Sequence, residues 1–311
     1  IGSYNYDDTH NEKHIEDVLN LELVNVDLIR SKKFKVVLDA VNSTGGILIP
    51  KLLEKLGVEC VELFCDPTGN FPHNPEPLPE NLIEISKKVV DTNADLGIVV
   101  DPDVDRLALV CEDGSMFGEE YTLVSVADYV LSKTPGNTVS NLSSTRALSD
   151  VTNKHNGNYF ASAVGEVNVV EKMKDKNAVI GGEGNGGIIY PALHYGRDAL
   201  VGIALFLTNL AEKEISCKSL RETYPNYFIS KNKIDLDLSV DIAKLLKTLE
   251  SKFSLHNINT IDGLKINFDD GWVHLRRSNT EPIIRIYSES VTLDKANQLA
   301  EDFISQIKEL L

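Results

Sequence analysis

The sequence predicts an α/β fold: two consecutive α/β domains with mostly parallel mixed sheets, followed by a smaller α+β C-terminal domain. Up to about residue 213, short β-rich runs alternate with amphipathic helical stretches, which is typical of parallel sheets with helices on both faces. From about residue 227 the pattern changes to strands joined by tight polar turns and closed by a helix. The length of 311 residues allows two or three domains of about 100–200 residues each.

The first predicted domain covers residues 1–117. Its strands are predicted at 34–40, 58–64 and 95–100, and its helices at 47–56 and 80–93. A segment with five prolines between 67 and 79 separates the second strand from the second helix. Because this segment lies inside one alternating unit, we interpret it as an ordered loop and not as a linker between domains. Its histidine, His73, is predicted to be structural or solvated.

The second predicted domain covers residues 118–226 and repeats the same alternation. Its helices are predicted at 119–133, 144–156, 166–175 and 196–213, and its strands at 137–143, 159–164 and on both sides of a glycine-rich loop within 177–191. The third predicted domain covers residues 227–311. It combines strands within 266–290 with a closing helix at 292–311, whose apolar residues recur at spacings of three and four.

Charge and cysteine content limit the possible partners and location. Lys and Arg number 31 against 47 Asp and Glu, so the net charge of −16 argues against nucleic acid or an anionic membrane as a partner. No apolar run reaches the roughly 18 residues that a membrane span needs. The four cysteines form neither a CxxC pair nor a metal-binding spacing with histidine, which favours a reduced, cytoplasmic setting. The chain begins at Ile1, and we expect it to be part of a longer protein.

The stretch DLGIVVDPDVDRLALV carries three aspartates at alternate positions, directly after an apolar strand. Open α/β sheets bind ligands at the carboxyl ends of their strands, and several carboxylates turned toward one point suit Mg²⁺ or Ca²⁺. The spacing also matches an EF-hand, but Arg106 stands where that loop needs glycine, and the flanks read as strands. Three solvated carboxylates in a turn are the other alternative. The candidate metal ligands are Asp101, Asp103 and Asp105.

The stretch GGEGNGG at 181–187 contains a formal G-x-G-x-x-G. A dinucleotide fingerprint requires this loop to open a helix, but a strand-like IIYP follows it. Glycines let a backbone approach a ligand closely, and Glu183 and Asn185 offer groups suited to sugar hydroxyls. The alternative is a glycine-rich hairpin without a ligand.

The stretch RRSNTEPIIR at 276–285 places a polar loop between two strands. A guanidinium matches the oxygens of a phosphate, and hydroxyl, amide and turn N–H groups add further donors. In so acidic a chain, this loop predicts a localised anion site. A surface hairpin with exposed arginines is the alternative. The candidate residues are Arg276, Ser278, Asn279 and Thr280.

Taken together, DPDVDR (101–106), GEGNGG (182–187) and RRSNTEP (276–282) resemble the α-D-phosphohexomutases, the family of phosphoglucomutase, phosphomannomutase and phosphoglucosamine mutase. The resemblance covers essentially the whole chain. The family has four domains, three similar α/β units and a smaller α+β one, and this chain looks like the last three. The family's serine loop, usually written TASHNP, belongs to the first domain and has no match here. We therefore expect a fragment that lacks its phosphoserine domain and is inactive alone.

The resemblance implies a role for each motif. Asp101, Asp103 and Asp105 would hold Mg²⁺, and Arg106 would act beside the transferring phosphoryl group. Glu183 and Asn185 would bind sugar hydroxyls, although many relatives have Ser in place of Asn185, which leaves the sugar preference open. The second phosphate of the substrate would be held by Arg276, Ser278, Asn279, Thr280 and Arg285.

The general acid and base stay unassigned, because Glu166 stands near the position where some relatives have histidine. Arg146 and Arg197 are further basic residues to which the sequence assigns no role.

The function that the resemblance implies is an intramolecular phosphotransferase, an isomerase. Its substrate is a hexose phosphate of glucosamine, glucose or mannose, and phosphoryl moves between positions 1 and 6 through a phosphoserine and a bisphosphate intermediate. Two alternatives from other classes are a non-catalytic sugar-phosphate-binding module and a dinucleotide-dependent oxidoreductase. The implied partners are the hexose phosphate and the N-terminal domain of the same protein, with neither nucleic acid nor membrane.

Overall fold

The computed structural model describes residues 2–3, 7, 9–237, 240–278 and 282–310. The N-terminal part forms a sheet with strand order β2-β1-β3-β4, in which only β4 runs antiparallel to its neighbour. The elements of this part are α1 (Thr9–Leu19), α2 (Val26–Lys32), β1 (Lys35–Asp39), α3 (Gly45–Lys55), β2 (Glu59–Leu63), a 3₁₀ turn (Pro79–Asn81), α4 (Ile83–Thr92), β3 (Leu96–Val100) and β4 (Leu107–Cys111).

The middle part repeats this arrangement with strand order β6-β5-β7-β8, in which only β8 is antiparallel. The structure thereby confirms two consecutive α/β units with mixed, mostly parallel sheets. The elements of this part are α5 (Glu119–Lys133), β5 (Asn137–Asn141), α6 (Ala147–Lys154), β6 (Tyr159–Ser162), α7 (Glu166–Lys176), β7 (Ala178–Glu183), β8 (Gly187–Ile189), α8 (Ala199–Lys213) and α9 (Cys217–Glu222).

The C-terminal part is an antiparallel sheet of order β10-β11-β12-β13-β9 packed against helices, which confirms the predicted α+β domain. Its elements are β9 (Phe228–Asp235), α10 (Ile242–Lys252), β10 (Asn257–Asn259), β11 (Leu264–Phe268), β12 (Gly271–Arg277), β13 (Ile283–Ser290) and α11 (Leu293–Leu310). The sequence analysis named neither β9, β10 nor α10, and it also missed α1, α2 and α9.

The apolar core explains how the parts are joined. One continuous cluster of buried side chains runs from Ile15 in α1 to Tyr224 after α9, so the first two α/β units pack against each other. The C-terminal part has its own core, which contains Leu249 and Phe303. The domain limits 1–117, 118–226 and 227–311 stay a prediction.

The proline-containing segment between β2 and α4 is tied to the sheet. Nε2 of His73 lies 3.0 Å from Oδ2 of the buried Asp39, at the end of β1. This contact gives His73 a structural role, as expected. None of the helices that the structure describes is long and apolar enough to cross a membrane.

Candidate functional site

The three aspartates lie in a tight turn between β3 and β4. Oδ1 of Asp101 accepts the backbone N–H groups of Asp105 (3.1 Å) and Arg106 (3.0 Å). Val104 takes a left-handed conformation, with φ of 62°. The carboxylates of Asp101, Asp103 and Asp105 each offer an oxygen, and these oxygens all lie within 4.8 Å of one another. The first aspartate therefore closes the turn with its own side chain.

Residues outside the turn support it from the first α/β unit. The hydroxyl groups of Ser43 (2.9 Å) and Thr44 (2.6 Å) both donate to the carbonyl oxygen of Pro102. They belong to the VNSTGG stretch that leads into α3. The turn is therefore held at both its side-chain and its backbone oxygens before any ligand is added.

The local charges make this turn suitable for a cation. Burial raises the pKa of Asp101 to about 7, and repulsion from Asp105 and Asp103 acts in the same direction. Nε of Arg106 lies 3.5 Å from Asp101 and 3.8 Å from Asp105, which offsets part of the negative charge. Oδ1 of Asp105 is buried and has no hydrogen-bond partner among the described residues. These oxygens fit a divalent ion that prefers oxygen ligands.

Arg197, just before α8, connects the aspartate turn to the glycine loop. Its guanidinium pairs with Asp105, with Oε2 of Glu183 (2.9 Å) and, at 3.6 Å, with Glu166. The backbone N–H of Arg197 also donates to Oε1 of Glu166 (2.8 Å). The sequence analysis gave Arg197 no role, because only the folded chain brings it beside these three carboxylates.

The glycine loop is a hairpin turn between β7 and β8. Backbone contacts fix it against the aspartate turn, since the N–H of Leu107 donates to the carbonyl of Gly186 (3.1 Å) and Arg106 forms a β-bridge with Gly187. A strand and not a helix follows the loop, which agrees with the sequence argument against a dinucleotide fingerprint.

Both predicted sugar-binding side chains already have partners. Oε1 of Glu183 accepts hydrogen bonds from Nδ2 of Asn141 (2.8 Å) and from the N–H of Gly165 (3.3 Å), while Oε2 pairs with Arg197. Oδ1 of Asn185 accepts the N–H of Gly187 (3.2 Å). Glu183 is also almost completely buried. Both side chains are therefore held in place by the protein itself.

The arginine loop joins β12 to β13 and lines a polar cavity of about 310 Å³. Nη1 of Arg276 lies 3.7 Å from Oδ2 of Asp262, and the backbone N–H of Ser278 donates to the carbonyl of Ile283 (3.0 Å). Nε of Arg285 is buried without a hydrogen-bond partner in the described part of the chain. The predicted residues Asn279 and Thr280 lie outside the described residues. The cavity is lined by Ala163, Val164, Asn168, Asp262, Arg276, Arg277, Ser278 and Arg285.

A short segment at 163–168 touches both the aspartate side and the arginine side of the site. The N–H of Val164 donates to Oδ2 of Asp262 (2.9 Å), next to Arg276. Two residues further, Glu166 contacts Arg197, which in turn pairs with Asp105. The aspartate turn and the arginine loop are therefore connected through one segment, residues 163–168.

His274 and Lys265 attach the C-terminal part to the middle α/β unit. His274 lies 2.9 Å from the hydroxyl of Ser143 and 2.7 Å from the carbonyl of Asp262, and burial lowers its pKa to about 4. Nζ of Lys265 donates to the carbonyl of Leu142 (2.7 Å), and burial lowers its pKa to about 8. These contacts set the position of Asp262 relative to the middle sheet.

Comparison with known proteins assigns each part of the chain to one family. Three models of phosphoglucomutase/phosphomannomutase match it: α/β/α domain II at residues 12–114, α/β/α domain III at 118–227 and the C-terminal domain at 232–306. A phosphoglucomutase/phosphomannomutase of Thermococcus kodakarensis is 35% identical over 302 residues, which are 96% of this chain and 65% of the relative. A probable phosphoglucosamine mutase of Methanopyrus kandleri is 31% identical, covering 97% of this chain and 66% of the relative.

Solved structures agree. A phosphoglucomutase/phosphomannomutase family protein of Burkholderia thailandensis matches with a TM-score of 0.84 and 30% identity, over 99% of this chain and 66% of that one. A putative phosphomannomutase of Thermus thermophilus shares the fold, with a TM-score of 0.81 at 20% identity. The chain spans about two thirds of the length of the curated relatives that it matches. With all three domain models in family order along it, the chain belongs to the phosphoglucomutase/phosphomannomutase family.

Proposed function

We propose that this chain supplies the metal-, sugar- and phosphate-binding parts of a phosphohexomutase. The reaction is the reversible transfer of phosphoryl between positions 1 and 6 of a hexose phosphate of glucosamine, glucose or mannose. The observation that carries the proposal is the 163–168 segment, through which the aspartate turn and the arginine loop are connected. A substrate with phosphate at either end needs two anion-binding positions within one site, here a metal ion at the aspartate turn and the arginines of the second loop.

The residues of the aspartate turn take the metal role in this proposal. Asp101, Asp103 and Asp105 hold Mg²⁺, which supplies positive charge at the transferring phosphoryl group when it is bound. Arg106 acts beside that group, as its position between Asp101 and Asp105 supports. Arg197 is a positioning residue, because it fixes Asp105 and Glu183 relative to each other.

The substrate lies between the two anion-binding positions. Glu183 and Asn185 bind sugar hydroxyls, and a hydroxyl that reaches Glu183 replaces or joins the Arg197 contact. The phosphate that is not being transferred is held by Arg276, Ser278, Asn279, Thr280 and Arg285. A half-turn of the bisphosphate within the site then exchanges its two ends.

The phosphoryl donor is a phosphoserine on a further domain of the same protein, outside this 311-residue chain. This assignment follows from the family and from the matches to domains II, III and IV along the chain. We also propose a cytoplasmic location, which is supported by four cysteines without a disulfide partner.

A substrate panel tests the proposed reaction. The chain is assayed with the 1-phosphates of glucose, glucosamine and mannose, alone and as part of a protein restored with a serine domain. Turnover is expected only with the serine domain, whereas sugar-phosphate binding is expected in both forms. Turnover by the 311-residue chain alone would contradict the phosphoserine donor. Binding without turnover in the restored protein would instead favour the non-catalytic module.

A further inference from the structure

Two histidines and an aspartate form a cluster outside the site described above. Nε2 of His14, on α1, lies 2.8 Å from Oδ2 of Asp198, and Nε2 of His194 lies 3.1 Å from the same oxygen. The two imidazole rings are 5.8 Å apart between centroids. One potential ligand atom from each residue therefore lies within 4.8 Å of the other two.

The aspartate of this cluster is held rigidly. Its other oxygen, Oδ1, accepts the N–H groups of Leu200 (2.8 Å) and Val201 (3.3 Å) at the start of α8. The carboxylate is thus oriented by contacts behind it, as the ligands of metal sites usually are.

The histidines leave the cluster open to solvent. The side chains of His14 and His194 are 33% and 42% exposed, whereas that of Asp198 is 5% exposed. Gly196 gives His194 room, since a Cβ there would lie 3.1 Å from its Nδ1. An ion can therefore reach a buried carboxylate between two accessible imidazoles.

We propose that His14, His194 and Asp198 bind a transition-metal ion of the Zn²⁺ type, which joins α1 to the start of α8. Two imidazole nitrogens and one carboxylate oxygen suit Zn²⁺ or Co²⁺, whereas the all-oxygen aspartate turn suits Mg²⁺. On binding, each Nε2 gives its lone pair to the ion and the imidazole keeps its hydrogen on Nδ1. An imidazolium releases one proton, so binding weakens as pH falls. The proposal does not depend on the mutase reaction.

The test is a titration of the whole chain with ZnCl₂ in excess Mg²⁺, in which calorimetry measures binding. The titration is repeated with CoCl₂, in which visible absorption measures binding. The variants are His14→Gln and His194→Gln, and Asp103→Asn serves as a control for the aspartate turn. His10→Gln is the matched control, because His10 is a highly exposed histidine on the same helix. One equivalent of Zn²⁺ is expected in the original chain and in the control, with affinity at least about tenfold lower in the two variants. Zn²⁺ should also raise Tm only in the original chain and the control.

Three results would overturn the proposal. The first is the absence of saturable Zn²⁺ binding in excess Mg²⁺. The second is binding that His14→Gln and His194→Gln leave unchanged. The third is loss of binding in Asp103→Asn with retention in both histidine variants, which would place the ion at the aspartate turn.

Discussion

Replacing Arg197 with Ala should lower stability and, at the same time, strengthen Mg²⁺ binding. Arg197 pairs with Asp105, Glu183 and Glu166, so its removal takes this cation away from all three carboxylates and leaves Asp105 with Arg106, at 3.8 Å. A divalent ion is the obvious replacement for the lost charge. The two effects have opposite signs, which separates this prediction from general damage to the fold.

The size of each effect can be worked out from the contacts. Breaking a fully buried ion pair costs about 3–5 kcal/mol. Arg197 is 14% exposed and Asp105 is 19% exposed, so solvent screening reduces the expected loss to about 2 kcal/mol. For a chain of 311 residues, that loss corresponds to a Tm lower by about 3 °C. A unit charge and a divalent ion about 6 Å apart interact by about 1.4 kcal/mol even in water, so Mg²⁺ affinity should rise about tenfold.

Thermal unfolding without metal and Mg²⁺ titration by calorimetry measure the two effects. Arg30→Ala is a suitable control, because Arg30 binds the carbonyl of Lys55 far along the chain from the aspartate turn. The control should leave Mg²⁺ affinity unchanged. If Arg197→Ala weakened Mg²⁺ binding or left it unchanged, Arg197 would not be competing with the cation, and the reasoning would fail.

Three further predictions concern other parts of the site. Asp103→Asn should weaken Mg²⁺ binding at least about tenfold while Tm changes little. The control Asp66→Asn, at an exposed position, should change neither Mg²⁺ affinity nor Tm. An unchanged metal titration for Asp103→Asn would count against the metal role of the turn. Arg276→Ala should reduce affinity for a sugar phosphate by about 10–150-fold and for the free sugar hardly at all, with Lys295→Ala as control; equal losses for both ligands would refute the phosphate role. His274 is 2% exposed and its pKa is lowered from 6.5 to about 4, so the unfolded chain binds this proton more readily between these pH values. The free energy of unfolding should therefore fall by at most about 3 kcal/mol as pH drops from 6.5 to 4. His274→Gln should flatten the dependence of the urea midpoint of unfolding on pH. An equally steep dependence in this variant would exclude His274 as the cause.

The sequence was sufficient for features that are local along the chain. The aspartate turn was predictable because its carboxylates follow one apolar strand within five residues, and the two hairpin loops because turn residues separate β-rich runs. Helix α1 was missed because its apolar positions are few and flanked by charged residues, so its stability comes from tertiary packing more than from local preference. Helix α10 was missed although Ile242, Leu245, Leu246 and Leu249 recur at helical spacing, so its sequence did carry a usable signal.

The residues that connect the loops could not be predicted in this way. Arg197 is 92 positions from Asp105, and Asp262 is 98 positions from Val164, yet both pairs are in direct contact. Nothing in a net charge of −16 indicates that one arginine lies among three carboxylates. Such partners follow from how the sheets and the C-terminal part pack, and only the folded chain defines that.

The glycine loop also has a packing role that the sequence analysis did not name. A Cβ at Gly187 would lie 2.4 Å from Cδ of Arg197, so the missing side chain leaves room for the arginine that bridges Asp105 and Glu183. Gly187→Ala should therefore displace Arg197 and reproduce, more weakly, the lower Tm and tighter Mg²⁺ binding of Arg197→Ala. In the double variant the added methyl group no longer meets the arginine, so the two effects should not add. Full additivity of the two changes in stability and Mg²⁺ affinity would mean that Gly187 acts independently of Arg197.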